Sequence, residues 1–181
     1  MKMRCRCARY RAEMTGASRP ILFLDVDGTL LPFGGSGMPT VPDAPEVWTA
    51  SSNPYLGRID RSLGPQLSGL GCDLMWATAW MDDANEVIAP LLGLPRLPVA
   101  DLPTYDGDIG DDRLQWKTKA LVRIAEGRPF VWVDDVIGHA DRWWIEAEHA
   151  GPALLRKVDS DVGVTSDDVA VIAEWVRTLG R

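Results

Sequence analysis

The sequence predicts a three-layer α/β/α fold with a central, mainly parallel sheet. Short apolar runs alternate with segments of helical periodicity, the order in which strand, crossover helix and strand succeed one another in a parallel sheet. Three of the runs end in polar clusters, as strands do where a ligand crevice opens beyond their carboxyl ends. Neither an internal repeat nor a shift of composition divides the chain, so residues 21–181 are read as one domain.

Residues 1–20 show neither period and read as a disordered basic tail, with Met14 as an alternative start. The first strand is expected over Ile21–Asp25, a continuous apolar run closed by a carboxylate; Glu46–Thr49 is a weaker strand candidate. Arg58–Leu70 reads as a helix and Asp73–Ala77 as the strand after it. The next helix, Asp83–Leu92, should be kinked or shortened by Pro90, whose ring strikes the preceding turn and which brings no N–H. Leu97–Val99 is a second weaker strand. Gln115–Glu126 reads as a helix with Trp116, Ala120, Leu121, Ile124 and Ala125 on its buried stripe. Pro129–Asp134 and Ala153–Arg156 read as strands on either side of a helix over Gly138–Ala150. The last helix, Asp167–Leu179, takes Ser166 as its N-cap, buries Val169, Ile172, Val176 and Leu179, and stops at Gly180.

Apolar residues make up 46% of the 181 and charged residues 25%, enough for a full core and too balanced for a disordered or low-complexity chain. No window approaches the ~20 apolar residues of a membrane span, and no apolar run follows the basic N-terminus, so the expected location is the cytoplasm. Cys5, Cys7 and Cys72 are too few and too oddly spaced for a disulfide framework or a structural zinc site. Six basic residues and one acidic residue fall in the first 20 positions; the remaining 161 hold 13 basic against 25 acidic residues, a net of −12. Such a body repels long polyanions, so a nucleic-acid partner would need a local basic patch or metal ions.

The three clusters are Asp25-Val26-Asp27-Gly28-Thr29, Thr78-Ala79-Trp80 and Asp134-Asp135. Gathered at one sheet edge, Asp25, Asp27, Asp134 and Asp135 would repel one another and raise each other's pKa without a cation between them. All-oxygen ligation with open positions suits Mg²⁺. In a strand, residues two apart face the same side, so Asp25 and Asp27 can address one group while Val26 points away.

The Asp25-Val26-Asp27-Gly28-Thr29 segment resembles the first motif of the haloacid dehalogenase-like hydrolase superfamily. Thr78 at a strand end resembles the second motif, a lysine at a helix start the third, and Asp134-Asp135 the fourth, in the family's order. The resemblance implies a Rossmann-like fold and a Mg²⁺-dependent phosphatase. It makes Asp25 the nucleophile that forms an aspartyl-phosphate and Asp27 the acid and base. It also makes Gly28, Thr78 and Ala79 contacts of the phosphorylated substrate, with Trp80 a further candidate by its position, and Asp25, Asp27, Asp134 and Asp135 the metal site, with the roles of Asp134 and Asp135 undivided. Namesake dehalogenases lack the acid at the position of Asp27, so phosphoryl chemistry is expected.

Two lysines compete for the third motif. Lys117 falls near the middle of the apolar stripe and Lys119 opposite it; a lysine turned toward the sheet needs an anionic partner, which favours Lys117. His139 and Asp141 are read as solvated helix residues, and Trp76, Trp132, Trp143 and Trp144 as core. Trp80 stands where the family often has a small or polar residue and is a candidate to stack on a flat leaving group. The gaps between motifs are too short for the cap domain many relatives carry. An open site of this kind implies a macromolecular substrate or a homo-oligomer that covers it, and Gly34-Gly35-Ser36-Gly37 gives the first loop freedom to act as a flap. The expected substrate is a nucleotide or nucleic-acid end; the alternatives are a small-metabolite phosphatase, a phosphotransferase and a non-catalytic binding module.

Overall fold

A computed structural model describes residues 19–34, 50–104 and 114–180. Four parallel strands form one sheet: β1 (Ile21–Leu24), β2 (Asp73–Trp76), β3 (Phe130–Asp134) and β4 (Ala153–Lys157), in the order β2-β1-β3-β4. Leu24 pairs with Trp76 on one side and Val133 on the other, so the carboxyl ends of the three inner and edge strands that carry the polar clusters stand level. The helices are α1 (Leu63–Ser68), α2 (Ala89–Leu92), α3 (Thr118–Ala125), α4 (His139–Glu148) and α5 (Ser166–Leu179). Among the described residues, no helix is long and apolar enough to cross a membrane.

The alternation of side chains along the strands builds the three layers. Leu22, Leu24, Val131 and Val133 join Leu63, Leu67, Ile88, Leu92, Val169 and Ile172 in one core, covered by α1, α2 and α5. Ile21, Phe23, Phe130 and Trp132 face the other way and pack with Leu121, Ala125 and Ile145 of α3 and α4. Both faces of β1 and β3 are thus buried, which explains why these strands read as unbroken apolar runs.

Several boundaries differ from the sequence expectation for identifiable reasons. The helix expected over Arg58–Leu70 begins only at Leu63, after a 3₁₀ turn over Pro54–Arg58. A helix running from Arg58 would place Pro65 in its interior, where it cannot donate; starting at Leu63, the proline sits in the first turn. Before Pro90 the chain adopts a π turn over Ala84–Ile88, with the amide of Ala89 bonded to the carbonyl of Ala84, and α2 is only four residues long. Leu97–Val99 makes a single bridge, Val99 with Trp76, because Pro98 has no N–H to extend a ladder. Thr165, one residue before the expected Ser166, caps α5: its Oγ1 accepts from the Asp168 amide at 3.3 Å, and Asp168 Oδ2 accepts from the Thr165 amide at 2.8 Å. Trp143, expected in the core, is 81% exposed, whereas Trp76 and Trp132 are fully buried. The Glu46–Thr49 candidate, residues 1–18 and the Gly35-Ser36-Gly37 part of the first loop lie outside the described residues. Arg19 and Pro20 join the body: Arg19 donates to the carbonyls of Gly71 and Cys72, and the Pro20 carbonyl accepts from Asp73.

Where α1 meets α2, the contact is backbone on backbone. A Cβ added to Gly64 of α1 would fall 1.7 Å from the carbonyl oxygen of Leu92. Gly64→Ala is therefore expected to destabilise the protein by about 2 kcal/mol or more, read from the urea midpoint. A change below about 0.5 kcal/mol, typical of an open surface site, would show that α1 and α2 do not meet this closely.

Candidate active site

The site forms where β1 and β3 end side by side and α3 begins. The Asp25 amide donates to the Val133 carbonyl at 3.2 Å, which fixes the two strand ends together, and the Val26 carbonyl accepts the amides of Thr29, Leu30 and Leu31 to turn the chain back. Asp25 is 5% exposed and Asp134 is fully buried. Lys117 Nζ donates to Asp25 Oδ1 and to Asp134 Oδ2, each at 2.6 Å, and is itself 4% exposed. The outer oxygens are also held, Asp25 Oδ2 by Thr29 Oγ1 at 3.2 Å and Asp134 Oδ1 by the Val136 amide at 2.9 Å, while Trp132 Nε1 donates at 3.2 Å to the same Asp134 Oδ2 that Lys117 meets. Lys119, by contrast, is exposed.

Burial pushes the Asp25 carboxyl up to about 7, with Lys117 opposing and Asp134 adding to the rise. Burial works to lower the Lys117 ammonium, but the carboxylates of Asp25 and Asp134 outweigh it and hold the lysine charged. Asp135 is raised by burial and then by Asp134; Asp27 is raised by burial, against a hydrogen bond from Trp80. One carboxylate oxygen each from Asp25, Asp134 and Asp135 lies within 4.8 Å of the others. Three hard oxygen donors with one ammonium leave a net negative charge, a donor set that fits a divalent cation such as Mg²⁺. Asp27 is outside this group: its Oδ2 accepts the indole N–H of Trp80 at 2.8 Å.

Gly28 is required twice over. Its φ is +66°, and a Cβ there would fall 2.4 Å from Asp135 Oδ2 and 3.2 Å from Cε2 of Phe33. The second cluster makes a tight turn in which the Trp80 amide donates to Thr78 Oγ1 at 3.3 Å and the Met81 amide to the Thr78 carbonyl at 3.2 Å. Thr78 is fully buried, while Ala79 is exposed. A cavity of about 230 Å³ is lined by Asp25, Asp27, Ala79, Lys117, Asp134 and Asp135, together with Phe33, Gln115, Trp116 and Val136. The last four were not singled out as site residues from the sequence. Trp116, assigned to the buried stripe, is only half-buried because it closes one side of this cavity.

Asp141, read as a solvated helix residue, is 2% exposed. Its Oδ1 accepts the Gln115 amide at 2.8 Å and the Thr118 hydroxyl at 2.6 Å, and its Oδ2 accepts the Gly138 amide at 2.8 Å. Gln115 Oε1 in turn accepts the Lys117 amide at 2.7 Å. One carboxylate thus caps α4 and ties its start to the turn that carries Lys117. An Asp three residues after Gly138 is the capping-box spacing, the one signal in the sequence that pointed to it.

A family model described as "HAD domain in Swiss Army Knife RNA repair proteins" matches residues 21–169. No curated protein and no solved structure matches the chain.

Asp141→Ala is expected to cost about 2–4 kcal/mol, since it strands two amides and a buried hydroxyl; chemical denaturation measures it, and a loss within about 0.5 kcal/mol would contradict the capping role. Folded Asp25 binds its proton more tightly than the unfolded chain does, so the metal-free protein should lose stability as pH rises from about 4 to about 7. Asp25→Asn should remove that part of the slope in a series of melting curves. An identical slope in the variant would show that Asp25 is not its source.

Proposed function

Because the chain belongs to the family of HAD domains described from Swiss Army Knife RNA repair proteins, we propose that it is a divalent-metal-dependent phosphomonoesterase acting on a nucleotide or a nucleic-acid end. The observation that carries this reading is the buried Asp25–Lys117–Asp134 triad, with the Asp135 carboxylate beside it. Such an arrangement presents a fixed carboxylate at the mouth of a small cavity and leaves uncompensated negative charge for a cation to bridge.

In the proposed reaction, an oxygen of Asp25 bonds to phosphorus as the bond from phosphorus to the leaving oxygen breaks, giving an aspartyl-phosphate. Asp27, two residues on, its carboxyl raised by burial against the hydrogen bond from Trp80, gives its proton to the leaving oxygen. It then takes a proton from the water that attacks phosphorus, releasing inorganic phosphate and restoring Asp25. Trp80 steadies the Asp27 carboxylate through its indole N–H. Lys117 holds Asp25 in place and offsets the charge that builds on the phosphoryl oxygens. Asp25, Asp134 and Asp135 would hold Mg²⁺, which supplies positive charge against the substrate phosphoryl group. The exposed Ala79 leaves room for the phosphoryl group to approach the backbone, the missing side chain of Gly28 makes room for the Asp135 carboxylate, and the buried Thr78 hydroxyl acts indirectly by fixing the turn that presents Ala79.

The test is phosphate release from an aryl phosphate and from nucleoside monophosphates, with Mg²⁺ and with EDTA. Turnover should require the metal, and Asp25→Asn should lower kcat by about 10³-fold or more with folding retained by circular dichroism. Lys117→Ala should approach that loss and Lys119→Ala should not. Undiminished turnover in Asp25→Asn would overturn the assignment of the nucleophile.

A further inference from the structure

A cavity of about 230 Å³ is smaller than the ~300–1,000 Å³ that encloses a drug-sized ligand, so it admits the phosphoryl group while the rest of a substrate lies across the rim. The rim is apolar in a molecule whose body is acidic. Phe33 is 46% exposed and Val136 58% exposed, and both line the cavity. Cε2 of Phe33 reaches to 3.2 Å from where a side chain on Gly28 would begin, beside the Asp135 carboxylate. An exposed ring is therefore fixed directly over the phosphoryl site.

The ring is also braced. The Phe33 amide donates to the Ser160 carbonyl at 2.9 Å, and the Phe33 carbonyl accepts from Arg58 Nη1. Tyr55 meets the ring edge-on, with centroids 6.5 Å apart and planes at 73°, and the Arg58 guanidinium lies 4.5 Å over the Tyr55 ring. A large apolar side chain held this firmly yet left half in water offers a flat face without the entropy that ordering it on binding would require. Trp80, the aromatic residue expected to do this from the sequence, spends its indole N–H on Asp27 and does not line the cavity.

We propose that Phe33 is a stacking platform for the nucleobase attached, through ribose, to the phosphomonoester that enters the cavity. The inference rests on the phosphatase reading and assigns to Phe33 the recognition of the base that such a substrate carries near its phosphate. Base stacking tolerates every base, so the platform selects nucleotides over sugar phosphates without selecting a sequence.

The experiment compares adenosine 5′-monophosphate, adenosine 3′-monophosphate and a 3′-phosphorylated trinucleotide with ribose 5-phosphate, for the unaltered protein, Phe33→Ala and Phe33→Trp. Phe33→Ala should raise KM for the adenosine compounds about tenfold, the scale of one lost stacking contact, and leave ribose 5-phosphate unchanged. Phe33→Trp should keep or lower the KM for the adenosine compounds, which also guards against a misfolded alanine variant. The trinucleotide arm distinguishes a free nucleotide from a strand end as the source of the base. Equal changes for adenosine monophosphates and ribose 5-phosphate, or no change in either, would overturn the platform. If the protein releases phosphate from none of them, the phosphatase reading fails, and calorimetric binding of adenosine 5′-monophosphate and ribose 5-phosphate to Asp25→Asn with Mg²⁺ still decides the platform: tighter binding of the nucleotide that Phe33→Ala abolishes supports it, and equal binding overturns it.

Discussion

Asp25 and Asp134 end adjacent parallel strands with almost none of their surface in water, and a single ammonium, Lys117, answers both. Two carboxylates in that position would repel each other strongly, and the strand ends could not close over them without a buried cation. The remaining architecture serves that requirement. The sheet register brings the carboxylates level, α3 delivers the lysine at its first turn, and Asp141 ties the start of α3 to the start of α4. The same triad carries a charge imbalance, since Asp135 adds a third carboxylate. Stability and the proposed reactivity thus rest on one arrangement.

Much of this was readable from the order of residues, because the physical causes are local or periodic. Apolar runs such as Ile21–Leu24 and Phe130–Val133 can be buried on both faces only in a covered parallel sheet, and their closing acids fall at strand ends for the same reason. The helical period placed Lys117 on the sheet-facing side and Lys119 on the outer side, and the two are buried and exposed accordingly. What was not readable depends on contacts between elements distant in sequence. The Asp141 carboxylate reaches Gln115, 26 residues away, and Trp80 meets Asp27 across 53 residues. Phe33 lines the cavity because Ser160 and Arg58 hold its backbone there, and neither contact leaves a trace in local pattern. At Pro90 the interruption was legible and only its form, a π turn before a short helix, was not; at Pro65 the late start of α1 was not foreseen.

Two of the aromatic residues near the proposed reaction divide two tasks. Trp80 turns its polar edge inward and acts on a carboxylate, while Phe33, with no polar atom to satisfy, turns a bare face outward. Indole and phenyl are not interchangeable here, since only the former has an N–H to give Asp27.

The single bridge between Trp76 and Val99 has a bearing on how the chain behaves in company. Among the described residues β2 is one border of the sheet, and a border strand with free amides and carbonyls invites another chain to add to it. Here Pro98 sits in the segment laid along that border: its carbonyl accepts the Trp76 amide, and Ala100 donates back to the Trp76 carbonyl, so the end of β2 is occupied by a strip that cannot itself be extended. At the opposite border of the described sheet, β4 ends in Arg156, whose guanidinium pairs with Asp168, and the exposed Lys157. The end of β2 is thus paired by the same short stretch that sequence pattern alone would have counted as a further strand.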